Sequence, residues 1–224
     1  MRISPDGVMA LSRPGSSAGS TGRRRKRLSR PNSEAIRAAP GGKTMQLAAA
    51  GARVTAVDIS GRRMIRLGEN LARSGLSAEL VTADAGKWAP AEKFDAVLLD
   101  APCSGTGTLR RHPDIAWLKG EDDVDRLTLA QDRLLLSAIE LLKAGGTLVY
   151  AVCSLQEDEG AARIGSLLAR DKRLRRRPVP PTELPGLEAA ITPSGDIRTL
   201  PSMWTDRGGL DGFYVARVTL PRPG

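Results

Sequence analysis

Cysteine is almost absent from this chain, with two residues in 224. That excludes a disulfide framework and leads us to expect a reducing, cytoplasmic setting. Histidine is scarcer still, since His112 stands alone. One histidine and two cysteines offer too few ligands for a structural zinc site, so no metal is expected. No apolar run approaches the ~18 residues a membrane helix needs, and the first residues lack the apolar core of a secretion signal. No internal repeat is visible. The expectation is a soluble, monomeric protein with no membrane partner.

Charge is unevenly placed. The net charge is +9, but residues 1–30 hold Arg2, Arg13, Arg23, Arg24, Arg25, Lys26, Arg27 and Arg30 against Asp6 alone. Most of the excess therefore belongs to this stretch, and the remainder is nearly neutral, with a second basic cluster from Arg170 to Arg177. A polyanion partner and a merely solvated tail both fit. Residues 1–35 are rich in Ser, Gly, Pro and Arg without apolar periodicity, so they are expected to be a disordered basic tail. Residues 36–224 are expected to form one catalytic domain.

From about residue 38 strands alternate with helices. The pattern predicts a helix over Thr44–Ala50, a buried strand over Val54–Asp58 and a helix over Gly61–Arg73, with Gly75 as its left-handed cap. Further strands are predicted at Ala78–Ala83, Phe94–Asp100 and Thr147–Val152, with a long helix over Asp125–Lys143 before Gly145-Gly146. Ser154 and Glu157 read as a capping box, with Glu157, Asp158 and Glu159 at the positive end of a further helix. A last strand is predicted near Phe213–Thr219. Such alternation implies an α/β fold: a doubly wound, mostly parallel sheet covered on both faces.

Three features carry chemistry. The segment Ala38-Ala39-Pro40-Gly41-Gly42-Lys43-Thr44 is a glycine-rich loop opening a helix, where backbone N–H groups can receive a carboxylate-bearing or anionic ligand. Gly42-Lys43-Thr44 also ends like a phosphate-binding P-loop, but Arg37 stands where that motif needs glycine. Asp58 closes the next strand and suits ribose hydroxyls, and Asp84, at the following strand end, suits an adenine. Each aspartate taken singly also reads as a cap or turn residue. Finally, Asp100-Ala101-Pro102-Cys103-Ser104-Gly105-Thr106-Gly107 and Val152-Cys153-Ser154 each follow a buried strand. Neighbouring strands would bring both thiols to one cleft beyond the sheet's carboxyl edge. A strand cysteine is more often an inert apolar residue, but Cys153 before a helix N-terminus would favour the thiolate.

APGGKT, VDIS, DAPCSGTG, RRHPDIAW, VCS and the closing LPSMWTDRGGLDGFYVARV together resemble the Sun/Fmu-type RNA cytosine-5 methyltransferases, nearest to their bacterial 16S ribosomal RNA branch. The resemblance runs from about Ala38 to the carboxyl end. It implies a Rossmann-like class I methyltransferase fold, S-adenosylmethionine as cofactor and RNA, ribosomal RNA in particular, as partner. It also implies that Arg37, Ala38, Ala39, Pro40, Gly41, Gly42 and Lys43 line the methionine end of the cofactor. Asp58 would hold the ribose, Asp84 lie by the adenine, and Asp100 stand beside the methyl and the target base. Cys153 would attack C6 of cytosine and Cys103 assist product release. His112, with Arg110 and Arg111, would belong to an RNA-facing loop, though a solvated basic loop reads equally well.

The family runs an apolar strand into its glycine loop, where this chain has Asn32-Ser33-Glu34-Ala35-Ile36-Arg37. The family's preceding RNA-binding domain gives way to the Ser/Arg segment. The chain therefore reads as N-terminally truncated, lacking the central strand of its sheet. Two other readings stay open: a non-catalytic RNA-binding remnant of the fold, and a DNA cytosine methyltransferase using the Pro-Cys thiol. A dehydrogenase is disfavoured because the loop lacks G-x-G-x-x-G spacing.

Overall fold

The computed structural model describes residues 2–3, 9–10, 32–36, 41–118 and 120–222, the first three stretches as backbone only. Two short strands, β1 (Arg2–Ile3) and β2 (Met9–Ala10), pair antiparallel with each other. The main body is an eight-stranded sheet. Its strands are β3 (Asn32–Ile36), β4 (Arg53–Asp58), β5 (Glu79–Thr82), β6 (Phe94–Asp100), β7 (Leu142–Val152), β8 (Arg175–Arg176), β9 (Ile197–Thr199) and β10 (Phe213–Thr219). The order is β5-β4-β3-β6-β7-β10-β8, with β9 also on β10. The run from β5 to β7 is parallel, and β10 returns antiparallel beside β7.

Alternation along the strands sends side chains to two layers. In β4, Val54 and Ala56 join Met64, Leu67 and Leu71 of α2 (Gly61–Arg73) in one apolar cluster, which α1 (Gly42–Ala49) also covers. Val57 points the other way. It joins a larger cluster in which Val97 and Leu99 of β6 and Leu148, Tyr150 and Val152 of β7 meet Leu135, Ala138 and Ile139 of α4 (Glu121–Glu140). Ile164 and Leu167 of α5 (Ala161–Arg170) complete that layer, and the four-residue α3 (Ile115–Leu118) precedes α4 in the chain. The predicted bounds of α2, β6 and β10 agree with the observed ones. Ser60 caps α2 by accepting from Arg63 N–H, and Gly75 lies beyond its end at φ 63°.

Three expectations need correction. The first concerns the central strand. Asn32–Ile36 is a strand of the sheet, lying parallel between β4 and β6, so the strand is not missing and residues 32–35 belong to the sheet rather than to a disordered tail. The physical reason is that its backbone finds a ladder on both sides, Ser33–Ile36 opposite Ala96–Leu99 and Asn32–Ile36 opposite Arg53–Val57. Main-chain pairing is blind to the polar side chains from which the disorder was read. The β1–β2 pair likewise departs from a wholly disordered tail, whereas residues 11–31 lie outside the described residues.

The second correction is that α4 stops at Glu140 and β7 starts at Leu142, so Gly145-Gly146 lies inside the strand. A register shift between Phe94 and Ala96 marks a bulge there, and Gly145 takes φ 84°, which glycine permits without cost. The third is that Ser154 caps no helix. Residues 157–160 form turns, and α5 opens at Ala161 behind Gly160 with no side-chain cap. Cys153 is therefore not beside a helix N-terminus, and its chemistry has another source.

Candidate active site

Parallel strands end on one edge, so β4, β6 and β7 deliver Asp58, Asp100 and Cys153 to the same rim. Past Asp100 the chain makes one more ladder bond, Ala101 N–H to Ala151 O at 2.9 Å. Pro102, without an N–H, then releases it from the sheet. The loop turns back through Gly105 at φ 79°. Gly107 N–H donates to Cys153 O at 3.1 Å, and Gly107 O accepts from Gly212 N–H at 2.7 Å. A Cβ on Gly107 would lie 1.8 Å from Gly212 O, so only glycine fits this three-way backbone contact. The two cysteine loops are thereby laid side by side.

The result is a thiol pair, with Cys103 Sγ 3.4 Å from Cys153 Sγ in hydrogen-bond contact. Both residues are half-buried. The hydrogen bond from Cys103 lowers the Cys153 thiol to about 7; nearby Lys43 assists, while burial and Asp100 oppose. The same bond, with burial, pushes Cys103 well above the ordinary thiol range. A proton shared this way favours the thiolate at Cys153, with Cys103 as its donor. Lys43, in the first turn of α1, holds Asp100 through a 2.8 Å ion pair. Gly41, at φ 115°, precedes that helix, and a Cβ there would strike Leu67 at 2.4 Å. Arg37, Ala38, Ala39 and Pro40 lie outside the described residues.

Beside this rim lies a cavity of about 260 Å³ lined by Asp58, Ile59, Asp84, Pro102, Arg133 and Leu134 among others. Asp58 is buried, and its Oδ1 accepts from Ser60 N–H at 2.8 Å and Arg63 Nη2 at 2.6 Å. Its Oδ2 has no hydrogen-bond partner among the described residues. A buried carboxylate oxygen left unpaired at a cavity wall suits a ligand hydroxyl. The apolar neighbours Ile59, Pro102 and Leu134 suit a flat ring, and the volume is nearer a nucleoside than a larger ligand. Asp84 accepts from Gly86 N–H at 2.9 Å and from Arg133 at 3.0 Å, which together hold its carboxyl below the usual range.

The sequence reading brought Asp58, Asp84, Asp100, Cys103 and Cys153 to one edge, and the structure places all five there. It missed Arg133 and Leu134, because their positions on α4 read only as an amphipathic helix. Arg110 and Arg111 both pair with Asp211, next to the Gly212 that touches Gly107. They therefore brace the loop as well as lining the surface, while His112 is exposed. Among the described residues no cluster could hold a metal ion, and no helix is long and apolar enough to cross a membrane.

The strand order, the antiparallel β10 and the carboxyl-edge cavity define the Rossmann-like class I methyltransferase fold. Residues 33–219 match the family described as 16S rRNA methyltransferase RsmB/F, and the chain belongs to it. It is 43% identical over 199 residues to the ribosomal RNA small subunit methyltransferase B of Sodalis glossinidius (strain morsitans), covering 85% of this chain and 43% of that one. The protein of the same name from Klebsiella pneumoniae (strain 342) is 45% identical over 186 residues, covering 81% and 40%. The crystal structure of NSun6 from Pyrococcus horikoshii superposes with a TM-score of 0.73 at 25% identity, covering 86% of this chain and 48% of that one. The chain thus spans less than half the length of the curated relatives it matches.

Proposed function

We propose that this chain is the catalytic domain of an S-adenosylmethionine-dependent ribosomal RNA cytosine-5 methyltransferase that works through a covalent Cys153 adduct. The observation that carries it is the 3.4 Å thiol pair at the ends of adjacent strands, with the Lys43–Asp100 ion pair beside it. C5 of cytosine is a poor nucleophile, so the reaction needs electron density pushed onto it. The Cys153 thiolate forms a bond to C6, and the C5–C6 π pair moves toward C5. Asp100, held by Lys43, accepts from the amino edge of the base and so orients it against Cys153, while the Lys43 ammonium offsets charge that develops nearby. Bound S-adenosylmethionine supplies the electrophilic methyl group. Transfer of the C5 proton to a solvent water then re-forms the C5–C6 double bond as the S–C6 bond breaks and its electron pair returns to the Cys153 sulfur. Cys103, in contact with the departing sulfur, assists that release.

The cavity supports a place for the cofactor. Asp58 Oδ2 would accept from the ribose hydroxyls, and Ile59, Pro102 and Leu134 would flank the adenine, with Asp84 near its edge. Gly41, Gly42 and Lys43, with the preceding Arg37–Pro40 segment, would take the methionine end. Two observations bear on the substrate: the relatives are called ribosomal RNA small subunit methyltransferases, and a thiol pair fits the cytosine-5 chemistry. The test is nucleoside analysis of 16S ribosomal RNA incubated with the protein and S-adenosylmethionine. We expect 5-methylcytidine from the native chain and none from Cys153→Ala. Undiminished 5-methylcytidine from Cys153→Ala would overturn the proposal, and calorimetry showing no cofactor binding would favour an RNA-binding remnant.

A further inference from the structure

Glu159 is fully buried, and the chemistry above does not use it. Its carboxylate faces the backbone that carries Cys103. Oε1 accepts from Ser104 N–H at 2.8 Å, and Oε2 accepts from Ser104 Oγ at 2.6 Å. Gln131 of α4, also fully buried, donates from one Nε2 to Glu159 Oε1 at 3.1 Å and to Pro102 O at 2.7 Å. The residues on both sides of Cys103 are therefore clamped by the same two side chains. Glu159 is itself fixed, because its backbone O accepts from the buried Tyr150 hydroxyl at 2.6 Å.

The clamp also reaches the other thiol. Ser104 Oγ lies 3.2 Å from Ser154 Oγ, and both lie 3.2 Å from Thr106 Oγ1. Thr106 Oγ1 accepts from Leu155 N–H at 2.9 Å, and Arg198 donates to Ser154 O at 2.9 Å and to Leu155 O. Each cysteine is thus followed by a serine whose hydroxyl meets the other, and Glu159 anchors this triangle from beneath. Among the described residues Glu159 has no ion pair, so hydrogen bonds alone hold its carboxylate in the core. Such an arrangement is costly unless every donor is in place, and it fixes geometry tightly for the same reason.

We propose that Glu159, seconded by Gln131, is the positioning residue that locks the Cys103 loop onto the Cys153 loop and so sets the contact between the two sulfurs. The proposal rests on Cys153 being the nucleophile, as argued above. Its consequence is that the thiolate of Cys153 depends on a carboxylate that touches neither sulfur. The sign of the effect separates positioning from simple electrostatics. Through space a carboxylate disfavours a nearby thiolate, as Glu159 does at Cys103. Removing its charge alone would lower the thiol midpoints. Releasing the loop removes the Cys103 donor and raises the Cys153 midpoint.

The experiment follows iodoacetamide alkylation of each cysteine by peptide mass spectrometry from pH 5.5 to pH 9.5, on the full chain without RNA or cofactor. Native protein, Glu159→Ala, Glu159→Gln and Ser104→Ala are compared, with circular dichroism as the check on folding. In the native protein Cys153 should react first, with a midpoint near 7. In Glu159→Ala the midpoint should rise toward the ~8.5 of a free thiol, slowing alkylation at pH 6 roughly tenfold or more. Glu159→Gln, which keeps the shape and removes the charge, should leave the Cys153 midpoint at or below the native one, whereas Ser104→Ala, which loses the hydroxyl link but keeps the Ser104 N–H bond, should raise it part of the way. These two carry the test if Glu159→Ala does not fold. A native midpoint near 7 that stays or falls in every folded variant overturns the positioning role and leaves the nucleophile standing. A native Cys153 with an ordinary midpoint overturns both.

Discussion

Cys153 and Asp58 are the two side chains whose surroundings make the sharpest demands. The low Cys153 thiol comes first from the Cys103 hydrogen bond, so removing that donor should be visible without any RNA. Alkylation of Cys153 in the native chain should rise with pH through about 7. In Cys103→Ala the rise should shift to higher pH, because the thiolate has lost its donor while burial and Asp100 still oppose it. An unshifted profile would mean that the two sulfurs are not coupled. At Asp58 the unpaired Oδ2 sets a different expectation. Asp58→Ala should weaken S-adenosylmethionine binding by about 1–3 kcal/mol, the range for hydrogen bonds to a charged group. Calorimetry with unchanged affinity would remove Asp58 from the cofactor site.

Elements differ in how openly the sequence announces them. The α2 helix was legible because Met64, Ile65 and Leu71 recur at helical spacing ahead of Gly75, although Ile65 proves exposed, and Leu67 and the Ser60 cap were not singled out. The β6 and β7 exits were legible because buried apolar runs end directly at Asp100 and Cys153. Strand β3 was not, since its place in the sheet follows from backbone ladders that side-chain polarity conceals. Glu159 was misread for a related reason: three acidic residues before a helix look like dipole partners, and nothing local reveals a clamp on a loop 55 residues away. Two expectations belong here. Amides of Asn32–Ile36 should show hydrogen-exchange protection comparable to β4 and β6, because a central strand opens only with its neighbours; rapid exchange would place the segment outside the sheet. Gly107→Ala should lower stability by about 1–3 kcal/mol, since the added methyl meets backbone rather than a movable side chain. Thermal unfolding at an unchanged midpoint would show that the loops can part.

Taken whole, the chain joins a strongly basic first thirty residues to a remainder that is nearly neutral. Lys and Arg in such a stretch contact phosphates without reading sequence, so if the proposed RNA partner is bound there, that share of the affinity should fall steeply with salt. Removing residues 1–30 should flatten the dependence of RNA affinity on salt while leaving the thiol chemistry of the sheet edge intact. The central claim is narrower: two cysteines on adjacent strand ends have separate duties toward one base. Denaturing gels of Cys103→Ala and Cys153→Ala, each incubated with 16S ribosomal RNA and S-adenosylmethionine, test it most directly. The account predicts a protein–RNA adduct that survives denaturation in Cys103→Ala, where attack proceeds and release fails, and none in Cys153→Ala. An adduct in Cys153→Ala and none in Cys103→Ala would contradict it.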